Sequence, residues 1–292
     1  MAGRRENIVL RAITGLEGGA VASGSTCGIV SGGALGIALM NEDLLAGNGV
    51  AAEESLLKQV GEYVDWFSDA FGTTLCSELT RVNFHHPLGQ IRYLLPGDRF
   101  ARCLWHINKA VQHVHAYQDG KKIIADRSSL QVDDEAIHCA GAVLKGIREK
   151  TGVGDDLLER LSVVFDGGVG LKGELCGALA GALLALNLSA GWDIRSMSLA
   201  KTIKGFIVGH LNLLTDNPVG KAETFAMGKA LVSRFISQAG ALECRDIIGR
   251  EFASRDDFQK HIRSSQTCRG VIDSIVDAAS TTIENIRPSK SN

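Results

Sequence analysis

Leu16-Glu-Gly-Gly-Ala-Val-Ala-Ser-Gly-Ser-Thr-Cys27-Gly28 and Phe165-Asp-Gly-Gly-Val-Gly-Leu-Lys-Gly-Glu-Leu-Cys176-Gly177 are one pattern written twice, at an offset of 149 and without a gap. Carried on to Leu39 and Leu188, the match holds eight identities in 24 positions, five of them glycines and one the cysteine. A Gly-rich chain matches glycines by chance, but it does not also keep a cysteine and the pairs Leu35/Leu184 and Leu39/Leu188 in register. A repeat of this length sets the architecture before any single element is assigned. Downstream, Phe67 to Cys76 and Phe235 to Cys244 share a spacing of nine, now at an offset of 168, so the second half carries an insertion between the two matches. A further cysteine follows at a similar spacing in each half, Cys103 after Cys76 and Cys268 after Cys244. The second half has one more cysteine in front, Cys139, whose counterpart would fall before Met1.

Working outward, Gln118 to Ser129 is charged and turn-rich, as a linker or surface hairpin reads. We place a first repeat with three cysteines at 1–118, a linker at 119–131 and a second repeat with four cysteines at 132–292. Apolar residues return at three and four in Glu53 to Phe71 and again in Ala136 to Ile147, which predicts helices. A last long helix is expected from about Thr267 to Ile286, stopped by Pro288, and Asp216-Asn-Pro218 reads as a helix start. Only four prolines, three Trp, three Tyr and ten Phe stand beside abundant Ala, Leu and Gly. That mixture favours close-packed helices. The fold expected is all-α, two homologous helical repeats with approximate two-fold pseudo-symmetry. Gly28, Gly32, Gly177 and Gly181, spaced by four, are expected to bring the two repeated helices against each other.

With 292 residues the chain can bury a sizeable core without disulfides. A formal charge of -2 excludes a non-specific nucleic-acid binder. Seven cysteines are too few and too odd in number for a secreted disulfide framework, so they read as reduced thiols, and a cytoplasmic location is expected. Arg11 breaks the apolar stretch behind the basic start that a signal peptide needs. The uncharged run Leu175 to Trp192 reads as a buried core helix rather than a membrane span.

Cys27 and Cys176 each fall at the first turn of a helix after a Gly-rich loop, where free N–H groups and the helix dipole stabilise a thiolate. That suits a metal ligand or a reactive thiol. Gly167, Gly168, Gly173 and Gly177 would let a cofactor approach the backbone closely. Cys139, Cys176, Cys244 and Cys268 match the ligand count of an all-cysteine iron–sulfur cluster or structural zinc site. Without a CxxC, however, dispersed cysteines also read as small buried hydrophobes. Cys27, Cys76 and Cys103 repeat three of the four in the first half. Cys103, His106 and His113 share a helix face, so a histidine stands ready for the missing cysteine, although a polar helix face explains it equally. Glu17 and Asp166, equivalent across the repeat, read as loop caps. No phosphate-binding loop, dinucleotide fingerprint, GxSxG or HExxH occurs, and no enzymatic activity is assigned.

His138-Cys139-Ala-Gly-Ala-Val-Leu, Phe165 through Cys176-Gly-Ala-Leu-Ala-Gly181, Cys244 and Cys268 resemble the C-GCAxxG-C-C family of redox-active proteins. The first half resembles it from Gly18 through Cys27-Gly-Ile-Val-Ser-Gly32, then Phe71 to Leu79, then Cys103. Leu175 and Gly177 depart from the family's Gly and Ala on either side of the second cysteine. The family is linked to the non-haem domain of split-Soret cytochromes, so the resemblance implies a helical domain that binds an iron–sulfur cluster or does thiol redox chemistry. A redox partner protein is expected, zinc less so, a homodimer is allowed and a membrane is not expected. No CxxCH is present, so covalent haem is not implied. The competing readings are a metal-free thiol–disulfide protein with Cys27 or Cys176 as the attacking thiolate, and a non-enzymatic helical scaffold.

Overall fold

The computed structural model describes residues 7–46, 49–94, 97–120, 136–215 and 223–286, and among them there is no β-strand. In chain order the first half contains α1 (Asn7–Ala12), a 3-10 turn (Ile13–Leu16), α2 (Gly28–Met40), α3 (Glu42–Leu45), α4 (Gly49–Phe71), α5 (Cys76–Thr80), α6 (Pro87–Leu94) and α7 (Asp98–Gly120). The second contains α8 (Cys139–Thr151), α9 (Asp156–Leu161), a 3-10 turn (Ser162–Phe165), α10 (Gly177–Ala190), α11 (Leu199–Asn212), α12 (Glu223–Ala239), α13 (Cys244–Ile248), α14 (Arg255–Ser264) and α15 (Gln266–Ile286). At offset 149, α1, the 3-10 turn and α2 start on the residues where α9, its turn and α10 start. At offset 168, α5, α6 and α7 start with α13, α14 and α15. The insertion between the two matches accounts for α11, which has no counterpart among the described residues of the first half. α7 runs through Gly120, and the rest of the charged segment and Asp216-Asn-Pro218 lie outside the described residues.

The duplicated loop has a backbone that its glycines announced only in part. Gly18, Gly19, Ala20, Val21 and Ala22 are all left-handed, with φ between 48° and 73°. Gly167 through Leu171 repeat this, with φ between 49° and 80°. Five successive left-handed residues are rare because each Cβ crowds the next carbonyl, about 1–2 kcal/mol for each non-glycine. Matched hydrogen bonds hold the conformation. The N–H groups of Val21, Ala22 and Gly24 donate to Gly15, Glu17 and Gly18, and those of Gly170, Leu171 and Gly173 donate to Val164, Asp166 and Gly167.

α10 is apolar all round and buried from Gly177 through Asn187, so it forms the centre of the core, with α8, α15, α12 and α1 around it. This is the uncharged run Leu175 to Trp192, and no helix among the described residues is long and apolar enough to cross a membrane. The expected packing of α2 on α10 through four glycines is not what the structure shows. A Cβ on Gly181 would meet the Ala140 carbonyl of α8 at 2.7 Å, whereas one on Gly32 would meet nothing within 4 Å. Gly28 and Gly177 instead press on the carbonyls of Leu16 and Phe165 in their own loops. α2 packs against α4 and α7.

The halves lock together through their loops. α4 lies on the second loop, where a Cβ on Gly61 would be 3.0 Å from the Gly170 carbonyl, and α12 lies on the first, where a Cβ on Gly228 would be 2.8 Å from Val21. Gly170 and Val21 are equivalent residues, so each loop is met by a helix of the other half at the same position. Between the loops, buried Glu174 accepts from the hydroxyls of Thr26 and Thr74 at 2.7 and 2.8 Å and pairs with Arg245.

Candidate functional site

Short backbone pairings place two cysteines of each half at the foot of its loop. In the second half the Cys176 N–H donates to Leu242 (2.9 Å) and the Cys244 N–H to Glu174 (2.7 Å), around an antiparallel bridge between Leu175 and Glu243. Cys176 then caps α10 and Cys244 opens α13. Cys139 opens α8, and Cys268 lies in the first turn of α15, where its N–H donates to Ser265 Oγ at 3.1 Å. All four cysteines line one small apolar cavity of about 20 Å3, with Ile247, Ile248, Phe252, Phe258, Val271 and Ile272 among its walls. Four thiols drawn from the whole length of chain between Cys139 and Cys268 thus face the same space.

The loop glycines serve this convergence. A Cβ on Gly168 would stand 2.7 Å from the Cys244 Cβ, and one on Gly177 would stand 2.8 Å from the Cys139 Cβ. Gly167 and Gly173 face Phe252 and Arg245 in the same way. Each glycine therefore has protein against it, and its smallness lets the cysteine-bearing elements come close.

Burial holds Cys139, Cys176 and Cys244 in the protonated form. It pushes Cys139 well above the ordinary thiol range, raises Cys176 to about 11 despite the N–H groups of Ala178 and Leu179, and pushes Cys244 up as well. Among the described residues no group of three or more His, Cys, Asp or Glu side chains is placed to hold a metal ion. The donors that face the cavity are thiols, the donor type of all-cysteine metal sites.

Sequence reasoning missed what positions Cys139. Asp166, fully buried, accepts from the Cys139 N–H at 3.0 Å and from His138 Nδ1 at 2.7 Å. It does act as a cap, though for α8, which precedes it in the chain, rather than for its own loop. His138 Nε2 reaches Glu53 of the first half at 3.5 Å, and Glu53 accepts from Arg255 Nε at 2.6 Å. Burial opposes a charge on His138, but the Asp166 and Glu53 carboxylates outweigh it and raise its pKa to about 10. Gln259 fixes the approach, exchanging hydrogen bonds of 3.0 and 2.9 Å with the N–H and carbonyl of Ile137. His261, also unforeseen, lies with Nε2 3.7 Å from the Cys268 sulfur.

In the first half the same pairing recurs, with the Cys27 N–H donating to Thr74 (2.7 Å) and the Cys76 N–H to Ser25 (2.9 Å). The neighbouring Cys76 thiol and the N–H groups of Ile29 and Val30 favour the charged form of Cys27 and lower its pKa against burial, while that of Cys76 is raised. Burial, then the negative charge favoured on Cys27, raises Cys103 to about 11. The histidines on α7 are turned to packing. His113 stacks on Trp66 with centroids 3.7 Å apart, and His106 lies against Phe71 at 4.4 Å. Among the described residues Glu17 accepts no hydrogen bond, its Oε1 standing 3.3 Å from His210 Nε2.

Residues 1–117 and 137–282 both match the model of the family described as "Putative redox-active protein (C_GCAxxG_C_C)". The chain belongs to this family. The family's model is matched twice, once in each half, consistent with a tandem duplication. No curated protein and no solved structure matches the chain.

Proposed function

We propose that the second half holds an iron–sulfur cluster on Cys139, Cys176, Cys244 and Cys268, and that the protein exchanges electrons with a redox partner protein. The single observation that carries this reading is the shared cavity: four sulfurs from four separate elements line one small apolar space. Buried cysteines serving only as core residues have no reason to converge. The cluster would supply one-electron transfer, and the chain's part is to ligate it, keep water away and present it near the surface. Ile247, Ile248, Phe252, Phe258, Val271 and Ile272 form the dry wall, and such shielding tunes a cluster's potential. Asp166, His138 and Gln259 hold Cys139 in place. Gly167, Gly168, Gly173 and Gly177 keep the loop close enough for Cys244 and Cys139 to share the space. One chain provides every sulfur, so the site needs no second copy. Reduced thiols of this kind suit a cytoplasmic setting.

Anaerobic purification followed by iron, acid-labile sulfide and zinc analysis tests the reading. Iron and sulfide in matching amounts with a brown colour are expected. A colourless protein that takes up no iron and sulfide on reconstitution, or one filled with zinc, would overturn it.

A further inference from the structure

We propose that α7 carries a self-association surface and that the protein is a two-fold dimer, joined where the first half lacks a helix. The duplication supplies its own standard of comparison. Aligned on their cysteines, Cys103-Leu-Trp-His-Ile107-Asn-Lys-Ala-Val111 of α7 and Cys268-Arg-Gly-Val-Ile272-Asp-Ser-Ile-Val276 of α15 keep Ile and Val at the same spacing. In the second half α8 covers this side of α15. Val276 is 7% exposed there, and a Cβ on Gly146 of α8 would stand 3.1 Å from it. Ile107 and Val111 are instead 42% and 51% exposed. The neighbouring helix shows the same contrast. Ala178, Gly181 and Ala185 of α10 are buried, with Gly181 against the Ala140 carbonyl of α8. Their equivalents on α2, Ile29, Gly32 and Gly36, are partly open, and a Cβ on either glycine would meet nothing within 4 Å. The slot between α2 and α7 is thus lined for a helix, and no helix among the described residues fills it.

A second copy of α7 fits this place. Phe100, Leu104, Ile107 and Val111, all exposed, recur at four, three and four, the spacing of a coiled-coil seam. Two such seams laid antiparallel across a two-fold axis set Phe100 against Val111 of the partner subunit, a large side chain on a small one. Leu104 then meets Ile107 of the partner subunit. The charge pattern agrees with self-pairing. By helical spacing Ala101, Cys103, Asn108 and Ala110 flank the seam and carry no charge, while Arg102 and Lys109 fall on the opposite side. A two-fold interface brings each patch against itself, and here it brings no cation onto its own symmetry mate. α11 also exposes apolar residues, but Leu199, Ile203 and Ile207 recur at four and four and wind away from a straight seam.

Sedimentation velocity of the full-length protein at about 1 to 100 μM tests the proposal, and none of its readouts depends on bound iron. The expected species has twice the chain's 31.1 kDa. Leu104→Glu and Ile107→Lys alter exposed side chains, so the helical spectrum should be kept. Each would bury an unpaired charge in the seam and should raise the dimer dissociation constant at least about a hundredfold. Mixed in equal amounts the two variants should recover a dimer, because antiparallel pairing sets the new carboxylate against the new ammonium. Ile203→Glu, on α11, should leave the dimer intact. A wild-type chain that stays monomeric at the highest concentration would overturn the proposal and leave the slot to a helix of another protein. A dimer untouched by Leu104→Glu and Ile107→Lys, or lost equally with Ile203→Glu, would overturn it too, and a mixture that stays monomeric would contradict the antiparallel pairing.

Discussion

At the scale of single residues, the carboxylate of Asp166 decides how Cys139 is presented. It binds the N–H of Cys139 and the ring of His138 at once, and it has no exposure to water. Removing one partner from a buried ion pair leaves the other unpaired, at a cost of roughly 3–5 kcal/mol. Asp166→Ala should therefore lower unfolding stability by about 3 kcal/mol, whereas Asp166→Asn, which keeps an acceptor for the Cys139 N–H, should lose less; urea titration followed by circular dichroism measures both. Equal losses would mean that the acceptor kept for the Cys139 N–H contributes nothing. This arrangement was half legible in the sequence. Asp166 stood out through its equivalence to Glu17, and His138 through its place beside Cys139, but nothing in the spacing said that Asp166 would turn back to meet Cys139. Glu53 and Gln259 come from other elements altogether, and only the packed fold brings them in.

Among elements, the repeated helices were plain in the sequence while their contacts were not. The gapless match fixed where α2 and α10 begin, and the apolar run forecast that α10 is central. Four glycines at equal spacing looked like one interface, yet only Gly177 and Gly181 meet another helix, both on α8, which has no described counterpart in the first half. The difference is measurable. Gly181→Val would drive a side chain into the Ala140 carbonyl, displacing α8 and with it Cys139; a loss of more than about 2 kcal/mol is expected, in the range of overpacking. Gly32→Ala meets nothing within 4 Å and replaces a poor helix former, so it should be neutral or stabilising by up to about 1 kcal/mol. Thermal unfolding of the two variants reads this directly, and destabilisation by Gly32→Ala would show that α2 is more closely packed than described. The left-handed loops were the least legible element. Glycines permit such a backbone, but Val21, Val169 and Leu171 argue against it locally, and only the matched hydrogen bonds across each loop explain why they accept it.

For the whole molecule, duplication has produced one interlocked unit rather than two beads. Glu53 pairs with His138 and Arg255, Thr26 and Thr74 hold Glu174, and each loop is covered by a helix of the other half. Calorimetry should accordingly show one transition with equal van't Hoff and calorimetric enthalpies, and residues 132–292 expressed alone should fail to fold cooperatively. Two separate transitions would show that the halves are independent. The central claim is that the second half's four thiols, and not the first half's three, hold the cluster. Iron and acid-labile sulfide bound per chain after anaerobic purification, compared across single Cys→Ser variants at all seven positions, tests it most directly. The account predicts that changes at Cys139, Cys176, Cys244 and Cys268 lower bound iron severely with the helical spectrum retained, and that changes at Cys27, Cys76 and Cys103 leave it unchanged. Iron lost equally from both sets, or from neither, would contradict it.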